Sequence, residues 1–118
     1  MKWYVSLFVA LAFYVVATPA SAQSTASDAK CLIVSNVFAK AATDPKAREA
    51  AKLASFFYLG RLDGRVPVSQ LEAALIAQQK GLTAANAGPV MNECNQFIAR
   101  RSAALQALGQ RLNRSRSK

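Results

Sequence analysis

From residue 31 onward, apolar positions recur at steps of three and four, the spacing of one helical face. Cys31, Val34, Phe38 and Ala41 form the first such stripe, with Ser27 or Asp28 placed to cap its helix. Asp44-Pro45 then supplies an N-cap and a proline at the first helical position. The segment Lys46 to Leu59 follows as a second helix. Its stripe of Ala47, Ala50, Ala54 and Phe57 suits close approach of a neighbour, and Gly60 is placed as its left-handed stop. Arg61 to Pro67 has turn chemistry, and Ser69-x-x-Glu72 matches a capping box opening a third helix. Leu71, Ala74, Leu75 and Gln78 face inward on that helix, which Gly81 ends.

After a link with Thr83 as a further cap, Gly88-Pro89 opens the fourth and longest helix. Val90, Cys94, Phe97, Ile98, Leu105, Leu108 and Leu112 keep helical spacing along it. Arg101 falls on the same face, which requires either a snorkelling head or an exposed inner turn. No run alternates strictly with period two, so the pattern predicts an all-α, four-helix domain without a sheet. Helices one and four are expected to run roughly parallel, with two and three as the antiparallel return layer.

The first 22 residues have a different pattern. Met1-Lys2 is followed by an uncharged apolar run, Trp3 to Val16, and then by Ala17-Thr18-Pro19-Ala20-Ser21-Ala22. A basic start, a short apolar core and a small-residue box are the signature of a cleaved signal peptide. The run falls short of the roughly 20 apolar residues of a spanning helix. Gln23, not cysteine, follows the expected cleavage point, so no lipid anchor is expected there. The expected organisation is a signal peptide over 1–22, a polar leader over 23–30, a helical domain over 31–112 and a basic tail over 113–118.

Export changes the reading of the two cysteines. Cys31 and Cys94 are the only pair in the chain, and an oxidising compartment makes one disulfide the simplest outcome. A loop of that length is worth up to about 4 kcal/mol on chain-entropy arithmetic. Neither cysteine sits in a C-x-x-C, and there is no histidine to activate a thiol.

Charge and side-chain chemistry narrow the function. Apolar residues make up 53% of the 118-residue chain, too many for disorder over most of its length. With no histidine and only six acids, the usual general bases and metal-ligand sets are scarce. Asp28, Asp44 and Glu72 are accounted for by helix starts and Asp63 by a turn, and Glu49 and Glu93 have no evident partner. An EF-hand register placing Gly64 at the sixth loop position fails, because Leu59, Arg61 and Gln70 fall on ligand positions. No catalytic residues, metal or cofactor are therefore expected, and the chain reads as a non-enzyme.

Two surfaces are candidates for binding. Phe56, Phe57, Tyr58 and Leu59 cannot all face one way on a helix. Phe56 or Phe57 belongs to the core, and Tyr58 is the neighbour expected to point elsewhere. The cluster either packs on Val66-Pro67-Val68 or anchors a protein partner through Phe56, Phe57 and Tyr58, with Arg61 and Arg65 at its rim. The second surface is the basic end. The chain carries 15 basic residues and a formal net charge of +9, and no acid follows Glu93. Arg111, Arg114, Arg116 and Lys118 are read as a frayed, solvated tail or as a contact for anionic envelope surfaces. Nucleic acid is not an expected partner of an exported chain. Asn113-Arg114-Ser115 is a formal glycosylation triplet, relevant only in a eukaryotic secretory route.

A leader, four short helices and cysteines near each end, Cys31 and Cys94, resemble small bacterial periplasmic helical proteins. Two families are similar in layout: the HdeA-like acid-stress chaperones, and the Tai-type immunity proteins, the latter also through the aromatic-then-glycine segment Tyr58-Leu59-Gly60. The resemblance implies a helical, disulfide-linked periplasmic protein that binds another protein, and it transfers no functional residue. The chain departs from the chaperones in having few carboxylates for acid to neutralise. The expectation is thus an exported, non-catalytic binding protein of the bacterial periplasm, inhibitor-like or chaperone-like. The alternative is a basic module associated with anionic membrane or cell-wall components.

Overall fold

The computed structural model describes residues 23–118. The expected signal peptide, 1–22, lies outside the described residues. The described chain forms four helices: α1 (Thr25–Ala41), α2 (Pro45–Asp63), α3 (Val68–Gln79) and α4 (Ala87–Arg116). No strand occurs among the described residues.

Helix α1 starts earlier than its stripe suggests. Its N-cap is Ser24, whose side chain accepts a hydrogen bond from the Ser27 amide at 3.1 Å. Ser27 and Asp28, the expected caps, lie inside the first turn, and the helix takes up most of the stretch expected as a leader. Asp44 and Pro45 open α2 as expected, the Asp44 carboxylate accepting from the Ala47 amide at 3.0 Å. Arg48 braces the bend before it by donating twice to the Ala42 carbonyl.

Gly60 does not end α2. The helix continues to Asp63, Gly64 is its C-cap at φ −73°, and no described glycine has a positive φ. The capping box is not formed either. Pro67 occupies the N-cap of α3, its carbonyl accepts from the Gln70 and Leu71 amides, and no side chain caps the end. Proline's fixed φ sets the helix start two residues ahead of Ser69, out of register for the box. Before α4, Thr83 and Asn86 bond to each other's backbone amides, and Asn86 Nδ2 donates to the Gly81 carbonyl. The link is thus held by side chains on both sides.

The expected layering is replaced by a central helix. α1 contacts all three other helices, most extensively α2, and α2 also meets α4. The physical reason is visible along α1. Ala29, Cys31, Leu32, Val34 and Ser35 are all buried and cover more than half of the helix circumference. A helix buried on so much of its surface must sit between neighbours. α3 rests on it through the half-buried Leu71 and Leu75.

α2 presents Ala51, Ala54, Tyr58 and Leu62 to the core. That face is rotated from the expected one, since Ala47 and Ala50 are exposed, Ala54 is shared, and Phe57 packs on the core only half-buried. Ala51 and Ala54 are small, and Tyr58 and Leu62 are the bulky side chains that α2 buries in full. Met91, Cys94 and Phe97 complete the core from α4. A disulfide joins Cys31 and Cys94, with Cα atoms 5.6 Å apart.

Candidate functional site

The five residues expected to form a partner-binding cluster are divided by the fold. Tyr58 is fully buried, contrary to the expectation that it points elsewhere. Its hydroxyl donates to the Cys94 carbonyl at 2.6 Å, and its ring packs against Phe57 and Phe97. A phenol can enter a core when its hydroxyl finds an acceptor, and α4 supplies one. Burial raises the Tyr58 pKa above 10.0, opposed in part by Gln23 and by the positive charges of Arg61 and Arg100. Phe57 is half-buried on the same cluster. Phe56 is the outward residue, 70% exposed, with Leu53 and Leu59 also exposed on α2.

Arg61 and Arg65 do not form a free rim. Both turn toward Asp28, a fully buried carboxylate in the first turn of α1. Arg61 Nε donates to both Asp28 oxygens at 3.1 and 3.0 Å, and Arg65 Nη2 pairs with Oδ2. Gln23 Nε2 adds a bond to Oδ1 at 2.8 Å, and Arg65 Nη1 donates to the Gln23 carbonyl. The Arg61 guanidinium also lies 4.8 Å from the centre of the Phe97 ring. One carboxylate therefore ties the end of α2 to the start of α1, beside the disulfide. A buried charge of this kind needs such partners, and no buried side-chain nitrogen or oxygen among the described residues is left unbonded.

The remaining acids are dispersed. Asp44 caps α2, and Glu49 meets Lys52 at 3.9 Å on its exposed surface. Among the described residues, no group of three or more histidine, cysteine, aspartate or glutamate side chains is placed to hold a metal.

The second candidate surface is more extensive than a tail. α4 is helical to Arg116, so Asn113 to Arg116 continue the helix that was expected to end at 112. Its 30 residues span about 45 Å, against 17, 19 and 12 residues for the other helices. The shorter partners cannot cover it. After the half-buried Ile98, every residue of α4 except Gly109 is exposed. Arg101 is beyond the last buried turn, the second of its two expected arrangements.

The face that α4 buries at Met91 and Cys94 continues as Ile98, Arg101, Leu105, Leu108, Leu112 and Ser115, at steps of three and four. Leu105, Leu108 and Leu112, expected in the core, are 68%, 42% and 54% exposed. Arg111 and Arg116 border this seam on opposite sides, Arg114 lies away from it, Lys118 follows the helix end, and all four are exposed. The mismatch in helix lengths was the signal for a bare seam. The apolar spacing alone cannot distinguish a covered stripe from an uncovered one.

No described helix is long and apolar enough to cross a membrane. Compared with known proteins, the chain matches no family model, no curated sequence and no solved structure.

Proposed function

We propose that this chain is an exported, non-catalytic binding protein of the bacterial periplasm, inhibitor-like or chaperone-like, that acts on a protein partner. Export is argued from the pattern of Met1 to Ala22 and from a disulfide that an oxidising compartment would maintain. The observation that carries the binding reading is the bare seam of Leu105, Leu108 and Leu112. A small domain rarely leaves a continuous apolar stripe on a projecting helix unless something covers it. The alternative is a basic, envelope-associated module. It is favoured by Arg111, Arg114 and Arg116, exposed on a helix with no acid after Glu93, and by Lys118 just beyond its end.

Washing native envelope complexes at ~0.5 M salt, and crosslinking only what remains bound, separates the two readings. Protein captured through the high-salt wash, and lost in Leu105→Ala/Leu108→Ala, fits the binding reading. Complete release by salt from both forms overturns it in favour of the electrostatic module.

A further inference from the structure

We infer that the projecting half of α4 docks an amphipathic helix of a partner protein whose apolar seam is flanked by acidic residues, an inference that rests on the protein-binding reading above. The seam of Ile98, Arg101, Leu105, Leu108, Leu112 and Ser115 follows a seven-residue repeat with two inward positions per repeat. That is the narrow stripe of a helix-pairing surface, not the broad apolar face of a helix lying in a bilayer. Two of its six positions, Arg101 and Ser115, are polar, which further disfavours burial in lipid.

The positions beside the seam choose the partner's charge. Ser102, Gly109 and Arg116 lie along one edge, and Ala104 and Arg111 along the other, with Lys118 just past the helix end. These edge positions meet the partner's edges in a two-helix pair and set partner choice. Every charge here is positive, and Arg101 places another in the seam itself. A second copy in parallel register would set Arg111 against Arg116, so self-pairing is opposed. A helix carrying glutamate or aspartate at its edges, and one acid opposite Arg101, meets both the shape and the charge.

The test uses the purified, oxidised chain and two synthetic three-heptad peptides. Both carry leucine at the seam positions, one with glutamate and the other with lysine at the edges. Binding is followed by fluorescence anisotropy at neutral pH. The glutamate-edged peptide is expected to bind at least about tenfold more tightly than the lysine-edged one, a difference of about 1.4 kcal/mol or more. Leu105→Ala/Leu108→Ala is expected to weaken that binding by at least about tenfold. These residues are exposed, so the variant should retain its melting temperature, which the same preparation checks.

Equal binding of the glutamate-edged peptide by the variant and the parent chain overturns the inference, because attraction is then charge alone. So does leucine-dependent self-association in sedimentation, or leucine-dependent capture by phosphatidylglycerol vesicles that exceeds capture by the peptide. If envelope protein that stays bound through the high-salt wash is still crosslinked in a leucine-dependent manner, those results defeat the acidic-helix partner and leave the binding reading standing. Loss of all crosslinked protein defeats the binding reading itself.

Discussion

Asp28 shows how one side chain can be placed by competing demands. At the start of a helix, a carboxylate is favoured by the helix dipole and could equally serve as a cap. Here Ser24 caps, and Asp28 is left to turn inward, where Arg61, Arg65 and Gln23 surround it. Breaking a fully buried ion pair costs about 3–5 kcal/mol. The Arg61 and Arg65 side chains keep 20% and 37% of their exposure and can turn to water, which reduces the loss. Asp28→Ala is therefore expected to destabilise by about 2 kcal/mol, read from urea unfolding of the oxidised protein. A change within about 0.5 kcal/mol, as at ordinary surface positions, would contradict this role. Tyr58 gives a second test at this scale. Its phenol keeps its proton in the folded chain at pH values where the unfolded chain gives it up, because burial raises its pKa above 10.0. The stabilisation is complete below pH ~10 and is lost as pH rises from there through the raised folded value. Tyr58→Phe should cost about 1 kcal/mol at neutral pH through the lost bond to the Cys94 carbonyl. It should also flatten the loss of stability above pH ~10, which unfolding curves along an alkaline series would show. Neither role was legible in the sequence. Arg61 and Arg65 are 33 and 37 positions from Asp28, and periodicity carries no information about which distant charges meet.

At the scale of elements, the four helices were legible because each has a stripe, a cap or a proline in the right place. Their ends were not, because termination depends on what continues to favour the helix beyond a breaking residue. Gly60 is the clearest case. As a left-handed stop it would tolerate no side chain, yet it lies inside α2, and a Cβ built there meets nothing within 4 Å. The core residue Leu62 and the ion-pairing Arg61 follow it, and both contacts reward another helical turn. Gly60→Ala is therefore expected to stabilise the protein by about 0.5–1 kcal/mol, the difference in helix propensity. A fall in melting temperature would indicate the left-handed geometry instead. The Ser69–Glu72 pair teaches the same point from the other side. A correct motif is silent when a neighbouring proline fixes the helix start two residues earlier.

For the whole molecule, the organising fact is how α4 is attached. Its first three turns are held by the disulfide, by Tyr58 through the Cys94 carbonyl, and by Phe97 under the Arg61 guanidinium. Its remaining turns have no tertiary partner among the described residues and persist as an extension of that anchored start. Nucleating a helix is costly while extending one is not, so order in the projecting half depends on the helix already nucleated at Cys94. Amide protection is accordingly expected to be greatest around Leu32, Val34 and Tyr58 and to fall steadily from Ile98 to Arg116. Reduction of Cys31–Cys94 should then have two effects. Global stability should fall by up to about 4 kcal/mol, and protection in α4 should fall first, back through Phe97 toward Met91, while the contact between α1 and α2 loses protection last. Hydrogen exchange of the oxidised and reduced protein, compared residue by residue, measures both. If reduction left the exchange of α4 unchanged relative to α1, the disulfide would not be what anchors the projecting helix, and Tyr58 and Phe97 alone would have to hold it.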